Sequence, residues 1–600
     1  MKTIVSIIIS ISIFTAYGQN DKKSDAVFQK IVKEYTLNDD GSIDYHYYKK
    51  LKLLTHFSFN RLYGETFIVY NPDHQQLKIN MSRTIQEGGR VIETPANAFN
   101  EVLPRGAANA PYYNNLREMV VTHTGLEVNA TIELEYILHS DAGYYPALMG
   151  DEVISESSPV EKELVIVNIP GDKELNYKVF NIRTSPEVTG KKGGKTYTFT
   201  FTGIGERSHE SFQPAFSGNE PRLTFSTVNM KTVYDYLIKQ DAFSYKTGES
   251  MNKVVAKIKK ESEDDLKTVL DIQKTVAENV NYYRLNQKYT AWKIRSATDV
   301  WNSNGGTQFE KCILMTALLR KAGINANPVI TFPAKFYDDN TGCLPLISEY
   351  LVQVNPRETQ QFYLSATTVS PQNLIYELAN RIVIALVPEK EMRLEKIGRQ
   401  DNMLTMSGSM VFDDSLKLSG KADLTLTNEI NPYFEFLKDS AYAKRLISCP
   451  VSSFELKNSA QQRSVITFNL KNKKPAESKA GYFTYTLPYC EKGSQSWRMS
   501  RLLKERETPL QVPFTIDESY DYTITLPGGA KVLNTVSKIE RKDKALEMTI
   551  SIAQKGNTVK VIRTLKIKSD NIPVTSYKQF KEMMDLWGEK KYRKLIFKEE

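Results

Sequence analysis

The sequence predicts a multidomain α+β protein with a β-sandwich-like domain at the N-terminus, an α+β core, and a C-terminal β-rich domain ending in a helix. The chain has 600 residues, which is too long for one hydrophobic core and is typical of roughly three to five domains. Apolar residues alternate with period two before about residue 227 and again after about residue 388. Between these stretches, from Lys231 to Tyr283, the apolar spacing becomes helical.

Residues 1–18 have the pattern of a signal peptide. Met1 and Lys2 give a positive start, residues 3–15 form an apolar run, and Ala16 and Gly18 are small enough for signal peptidase. The apolar run is shorter than the roughly 20 residues that span a bilayer. We therefore predict that the mature chain begins near Gln19, is periplasmic or secreted, and has no membrane span.

Residues 19–230 are predicted to form the β-sandwich-like domain, because segments such as 131–138 and 196–202 alternate as half-buried strands do. Two segments superficially resemble ligand-binding loops. Only three residues separate Gly190 from Gly194, where a phosphate-binding loop needs four, and residues 38–44 lack the distal glutamate of a calcium loop. Both are predicted to be turns, and the sequence predicts neither a cofactor nor a metal site.

Residues 231–390 are predicted to hold a helical connection followed by the α+β core. One helix shows an apolar face with acidic residues before it, at the end where the helix dipole favours negative charge. The residues of that face are Leu266, Val269, Leu270, Ile272, Val276 and Val280.

Residues 391–600 are predicted to form the C-terminal β-rich domain. A hairpin joins residues 548–552 to 559–567, a last helix buries Tyr577, Phe580, Met584 and Trp587, and residues 595–597 add a closing strand. Two cysteines, Cys449 and Cys490, fall in this region. A disulfide between them would contribute roughly 3–4 kcal/mol, and two buried free thiols are the alternative.

Composition indicates an ordinary globular protein, with 41% hydrophobic and 25% charged residues and a net charge of +9. The basic residues form short runs, such as Lys259-Lys260 and Lys590-Lys591, and no extended stripe. Such runs are typical of a solvated surface, so we predict no nucleic-acid partner.

Residues 305–312, Gly-Gly-Thr-Gln-Phe-Glu-Lys-Cys, lead into Thr316-Ala-Leu-Leu-Arg320. This segment resembles the core helix of transglutaminase-like cysteine hydrolases, and residues 271–388 as a whole resemble that superfamily, which implies a cysteine-protease-type α+β core. Residues 64–72, 100–105 and 117–127 resemble a β-rich domain of unknown function that precedes this core in exported bacterial proteins. The region after residue 390 looks like the β-domain that commonly follows.

In catalytic members of the family, the core motif is Gly-Asp-Cys-Lys-Asp. Counting back without a gap from residues 317–320 places Gln308 at the nucleophile position. A thiolate there would be stabilised by free backbone N–H groups and the helix dipole. The helix start itself is well formed, since Thr307 and Glu310 make a capping box and Gly323 closes the other end. Glutamine, however, cannot form a thiolate.

The same alignment places Glu349 at the histidine position and Ser365 at the aspartate position. A one-residue slip would instead place Tyr350 at the histidine position, and its side chain would point to the opposite face of the strand. All six histidines precede residue 210. The resemblance therefore implies a pseudoenzyme that binds or scaffolds in the periplasm. The expected ligand is a peptide or glycan held in a relic cleft near Gln308 and Trp301, and the expected partner is otherwise an envelope protein.

Two alternatives stay open. The first is an active cysteine-type peptidase, amidase or transglutaminase-like hydrolase that uses a displaced thiol, Cys312 or Cys343, with a base from another domain. The helical spacing of Cys312 with Met315, Leu318 and Leu319 favours a buried structural thiol instead. The second is a purely structural envelope protein without a ligand cleft.

Overall fold

The structure is a computed structural model, and it describes residues 24–191, 193–357, 360–369, 374–388, 390–472 and 475–598. The predicted signal peptide lies outside these residues. The predicted fold class is confirmed, with β-rich regions before and after a central α+β core. Within the described residues, no helix is both long and apolar enough to cross a bilayer.

The front region consists of strands with one short helix, α1 (Arg61–Gly64). The strands are β1 (Ala26–Leu37), β2 (Ile43–Leu53), β3 (Glu65–Tyr70), β4 (Gln75–Ile85), β5 (Val91–Glu93), β6 (Phe99–Val102), β7 (Arg117–Thr122), β8 (Thr131–Ser140), β9 (Met149–Val153), β10 (Val160–Pro170), β11 (Asn176–Phe180), β12 (Glu187–Lys191), β13 (Gly194–Ile204) and β14 (Arg222–Ser226).

Eight of these strands form one sheet in the order β12-β13-β10-β1-β2-β8-β4-β5. Two three-stranded sheets, β11-β14-β9 and β3-β7-β6, accompany it. Phe199 and Phe201 of β13 and Phe225 of β14 lie in one buried cluster, so the large sheet and a small one share a core. The first suspected ligand loop is a turn that joins β1 to β2, as predicted, and at the second the strands β12 and β13 pair with each other.

The core region alternates helices and strands. Its helices are α2 (Met230–Ile238), α3 (Glu249–Glu261), α4 (Asp265–Asn279), α5 (Ala297–Asn302), α6 (Gln308–Lys321) and α7 (Leu374–Glu377). Its strands are β15 (Asn281–Tyr282), β16 (Gly305–Gly306), β17 (Asn325–Pro333), β18 (Glu349–Arg357), β19 (Gln360–Leu364), β20 (Arg381–Ala385) and β21 (Leu394–Lys396).

Helix α6 is the centre of this region. The sheet has the order β19-β18-β17-β20-β21, and α6 contributes all of its apolar side chains to the cluster on one face of it. Helix α4 packs against α6 through Val269, Ile272 and Val276, which belong to the apolar face predicted from the sequence. Because α6 is buried almost all round, its orientation is set by packing rather than by an amphipathic pattern.

The C-terminal region again consists mainly of strands, with helices α8 (Tyr433–Lys438) and α9 (Val574–Gly588). The strands are β22 (Asn402–Phe412), β23 (Leu418–Thr427), β24 (Val451–Ser459), β25 (Arg463–Lys471), β26 (Glu477–Lys479), β27 (Tyr482–Thr486), β28 (Leu510–Gln511), β29 (Ile516–Thr525), β30 (Lys531–Val532), β31 (Val536–Lys542), β32 (Leu546–Lys555), β33 (Thr558–Ile567), β34 (Asn571–Ile572) and β35 (Lys594–Lys598).

An eight-stranded sheet, β24-β25-β23-β22-β29-β33-β32-β31, carries this region. The predicted hairpin is β32–β33, and the predicted terminal helix is α9, whose Tyr577, Phe580, Met584 and Trp587 are all buried. The predicted closing strand is β35, which pairs with β27.

The cysteines of the C-terminal region, Cys449 and Cys490, are free thiols. Ile447 lies directly opposite Cys490 in an antiparallel bridge. Cys449 is therefore not the residue that faces Cys490 across this bridge. The structure thus has the second of the two predicted alternatives, unbridged thiols, of which Cys490 is buried and Cys449 partly buried.

The front region reaches the C-terminal region through the segment between β13 and β14. Glu210 of this segment accepts hydrogen bonds from the backbone N–H groups of Glu507 and Thr508, each at 2.9 Å. Arg506 in turn donates to the carbonyl oxygen of Ser211 at 2.7 Å. These contacts bind the two β-rich regions to each other directly.

The Glu210 contact predicts a pH dependence. Burial acts to raise the pKa of Glu210, but the Thr508 hydroxyl, the two N–H groups and the charge of Arg506 outweigh it and hold the pKa below its usual value. A lowered pKa stabilises the folded state above the unfolded value of about 4.3, and this contribution is lost as the pH falls through the folded pKa. We expect the melting temperature to fall more steeply between neutral and acidic pH in the wild type than in Glu210→Gln.

The matched control is Glu582→Gln, at an exposed position of α9. It should keep the wild-type pH profile of the melting temperature. Identical profiles for Glu210→Gln and the wild type would contradict the predicted role of the Glu210 carboxylate.

Candidate functional site

Helix α6 begins with the predicted capping box, which is confirmed. The Thr307 hydroxyl accepts from the N–H of Glu310 at 3.4 Å, and the Glu310 carboxylate accepts from the N–H of Thr307 at 2.8 Å. Gly323 follows the helix with a φ of +86°, a left-handed conformation that favours glycine. The helix end that carries the nucleophile in catalytic relatives is therefore fully built.

The capping carboxylate is also clamped from the side. Arg295 donates from Nε and Nη2 to the two oxygens of Glu310, each at 2.9 Å. The Tyr113 hydroxyl, from the front region, donates to the same carboxylate at 2.5 Å. Burial of the phenol raises the pKa of Tyr113, and the charge of Glu310 raises it further. The front region thus takes part in fixing the start of α6.

Gln308 occupies the first position of α6. Its side-chain amide donates to the carbonyl oxygen of Tyr350 at 3.0 Å, which joins the helix start to strand β18. The ring of Tyr350 stacks on Phe309, the next residue of α6, with centroids 4.5 Å apart. The position predicted for the nucleophile therefore holds a neutral amide bound to the neighbouring strand.

Glu349 lies on the other face of the sheet. It pairs in register with Thr331, whereas Tyr350 pairs with Ile330, which belongs to the cluster around α6. Because strand side chains alternate between faces, the Glu349 carboxylate leaves the sheet away from α6, and it forms an ion pair of 2.7 Å with Arg381. The register that faces the helix is the one with Tyr350 at the histidine position, one residue from the register predicted.

Ser365 shows the same one-residue difference. Its hydroxyl lies 3.1 Å from that of Thr367, and its carbonyl oxygen accepts from the amide of Gln273 at 3.1 Å. The neighbouring Ala366 is the residue that enters the cluster of Cys312 around α6. A structural hydrogen-bond network, rather than contact with Gln308, accounts for the partners that Ser365 has in the structure.

Trp301 lies on α5, where its indole N–H donates to the Ser250 hydroxyl at 3.0 Å. The tryptophan that contacts the facing strand is Trp292, which hydrogen-bonds the phenol of Tyr350 and is 4% exposed. The contact of Trp292 with this strand was not predicted from the sequence. The backbone turns left-handed at Ala291 and Trp292, with φ of 49° and 56°, and no periodic pattern announces such a turn.

The core thiols are buried. Cys312 and Cys343 are 0% and 2% exposed. Burial raises the pKa of the Cys312 thiol, and the Glu349 carboxylate raises it further. Burial likewise raises the pKa of Cys343, whose thiol donates to the Gly150 carbonyl at 3.3 Å. Both groups have the properties of structural thiols, because a reactive cysteine needs access and a lowered pKa.

His123, in the front region, is a buried histidine. Burial, together with the charge of Lys49, lowers its pKa to about 3. Its ring nitrogen Nε2 lies 3.1 Å from the Thr66 hydroxyl, and that hydroxyl accepts from Lys49 at 2.7 Å. His123 is therefore a neutral member of a polar network inside the front region.

Three family models match the chain. Residues 39–204 match a domain of unknown function (DUF3857), residues 252–351 match the transglutaminase-like superfamily, and residues 482–597 match a second domain of unknown function (DUF3858). A search of curated proteins gave no match.

The solved structures that match this chain include two that are described as proteases. A putative protease from Parabacteroides distasonis is 27% identical, with a TM-score of 0.71 over 96% of this chain and 99% of that chain. A putative cysteine protease from Cytophaga hutchinsonii is 14% identical over 41% of this chain and 88% of that chain, and its TM-score of 0.17 supports no inference.

The fold and the matches define a multidomain protein built around a transglutaminase-like core. In this chain, that core lies between a DUF3857 domain and a DUF3858 domain. The Parabacteroides distasonis protein has the same architecture along its whole length.

Proposed function

We propose that this protein is an exported, non-catalytic member of the transglutaminase-like superfamily that binds or scaffolds a peptide or a glycan in the periplasm. The start of α6 carries the proposal. Gln308 replaces the nucleophile, and its amide is bound to the Tyr350 carbonyl at 3.0 Å. Tyr350 itself presents a phenol to the helix where a working site needs an imidazole.

The same helix start supports binding. Gln308 is partly exposed, between the fully buried residues Thr307 and Phe309. Its amide carries both donors and an acceptor, and a peptide group or a sugar hydroxyl can pair with either. The capped helix and the Arg295–Glu310 clamp hold that amide in one place, which lowers the entropy lost when a ligand is bound.

A second candidate function is a cysteine-type peptidase or amidase. The similarity to a protein described as a putative protease, along the full length of both chains, favours it. Such an enzyme would need Cys312 or Cys343 as nucleophile and a base from the front region, since all six histidines precede residue 210. The burial and raised pKa of both thiols oppose this function.

Hydrolysis and thiol labelling together separate the two functions. With the chain lacking residues 1–18, we expect no release of dye from fluorescent casein above that of Gln308→Ala. Iodoacetamide under native conditions should alkylate the partly exposed Cys449 first and leave Cys312 and Cys343 unlabelled, as read by peptide mass spectrometry.

Hydrolysis that iodoacetamide stops, and that Cys312→Ser or Cys343→Ser abolishes, would overturn the non-catalytic function. The matched control is Cys449→Ser, which removes a thiol outside the core. It should leave the hydrolysis assay unchanged under either function.

A further inference from the structure

A cavity of about 640 Å³ lies where the front region meets the core, and it does not include Gln308. The front region contributes Asn71, His74, Tyr112 and Tyr144 to its lining, while the core contributes Lys293 and Arg295. A volume of this size is typical of small-molecule sites, which often form between domains. We propose that this cavity binds a neutral oligosaccharide.

Two of the aromatic rings that line the cavity, Tyr112 and His74, are exposed or partly exposed. Tyr112 is 60% exposed, and one face of its ring covers the guanidinium of Arg295 at 4.3 Å. His74 stacks on Tyr144 with centroids 4.9 Å apart. The C–H face of a sugar ring is apolar and slightly positive, so it packs on the negative face of an aromatic ring. Tyr144 is only 3% exposed, so the rings of Tyr112 and His74 are the surfaces available to such sugars.

Polar groups stand between the aromatic rings. Asn115 donates to the side-chain oxygens of Asn71 and Asp73, at 3.2 and 2.8 Å, which fixes the amides of Asn71 and Asn115 at the cavity. The core region adds the ammonium of Lys293, which lies 5.5 Å from the ring centroid of Tyr144. These amides and this ammonium group, with the carboxylates of Asp241 and Asp299 in the lining, match the mixed donors and acceptors of sugar hydroxyls.

The charge of the cavity favours a neutral ligand. Arg295 is neutralised by Glu310, with which it forms a buried ion pair of 2.9 Å. The exposed charges that remain in the lining are Lys293, Asp241 and Asp299, which have opposite signs. A strongly anionic or cationic ligand would therefore meet repulsion from one side.

The backbone around the cavity argues against an extended peptide. The lining residues all lie in turns, loops and helical segments, so no strand edge faces the cavity. Extended peptides are commonly bound by adding a strand to such an edge. A saccharide ligand rests on the binding function proposed above, but the cavity that would hold it is separate from Gln308.

The test is isothermal titration calorimetry of the chain lacking residues 1–18 with maltotriose, cellotriose, xylotriose and triacetylchitotriose. A penta-alanine peptide with blocked ends serves as the competing ligand. We expect at least one trisaccharide, and not the peptide, to bind at millimolar concentration. Tyr112→Ala should weaken that binding roughly tenfold, because one stacking surface is lost. Lys293→Ala, an exposed change, should also weaken it.

Two controls make the result specific. Tyr482→Ala removes a tyrosine of similar exposure, 47%, from the C-terminal region and should leave saccharide binding unchanged. Gln308→Ala should also leave it unchanged, so failure of the cavity proposal is distinguishable from failure of the α6 site. Absence of saccharide binding, binding that survives both cavity variants, or binding of the peptide alone would each overturn the proposal.

Discussion

Replacing Arg295 with alanine is expected to destabilise the core by roughly 3–5 kcal/mol, because it leaves the Glu310 carboxylate buried without its cationic partner. The side chains of Arg295 and Glu310 are 6% and 0% exposed, so water cannot replace the lost contact. Arg295 also donates to the Gly305 carbonyl at 2.8 Å, and that acceptor would lose one of its two donors, keeping only the Ser303 hydroxyl at 3.2 Å. Urea unfolding, followed by hydrogen exchange of the peptide that carries α6, measures the effect.

The matched control for this change is Lys253→Ala on α3. Lys253 pairs with Glu249 at 2.6 Å, but the two side chains are 75% and 82% exposed. An exposed pair of this kind contributes about 0–1 kcal/mol. If the free energy of unfolding changed equally in Arg295→Ala and Lys253→Ala, the Arg295 clamp would not be what stabilises the start of α6.

The second large effect is expected for Phe309→Ala, at roughly 3–5 kcal/mol. Phe309 is 0% exposed, stacks on Tyr350 and meets the ring of Phe243 edge to face at 6.4 Å. Alanine would leave a cavity directly beneath Gln308. We therefore expect the unfolding free energy to fall, and the hydrogen exchange of the first turn of α6 to accelerate.

Phe57→Ala is the control for Phe309→Ala. Phe57 is 79% exposed, so its replacement should change the unfolding free energy by no more than about 0.5 kcal/mol. A comparable loss in both variants would contradict the conclusion that the Phe309–Tyr350 contact carries the helix start.

Local signals predicted the helices and the turns well. The capping box of α6 and the acidic start of α4 each lie within a few residues of the element that they define, and the structure confirms both. The terminal helix α9 was predictable for a related reason, since its buried residues repeat at helical spacing. The residues that determine these elements lie close together in the sequence.

It was harder to predict which side chains of strand β18 point toward α6. Residues 348–354 read Ser-Glu-Tyr-Leu-Val-Gln-Val, and both faces of this strand carry apolar side chains. The sheet packs on α6 with one face and on a second buried cluster with the other, so the hydrophobic pattern does not say which face is which. The pairing of Tyr350 with Ile330 and the contact between Tyr350 and Phe309 show which face meets α6.

Contacts between distant segments were beyond the sequence. Tyr113 and Glu310 are 197 positions apart, and nothing in either neighbourhood indicates the other. The buried Lys311 is similar, because its ammonium donates to the Val280 carbonyl at the end of α4. Burial lowers the pKa of Lys311 to about 8. A lysine in a motif that resembles a catalytic one is thus used to close a helix.

The contact of Glu210 with Thr508 joins positions that are 298 residues apart. The ribosome makes the front region long before the segment that Glu210 binds. While the core is synthesised, the Glu210 carboxylate therefore lacks these partners. Domains made early usually fold early, and their unfinished surfaces are where newly made chains associate wrongly. For this protein, the order of synthesis therefore makes the segment between β13 and β14 the last part of the front region to reach its final partners.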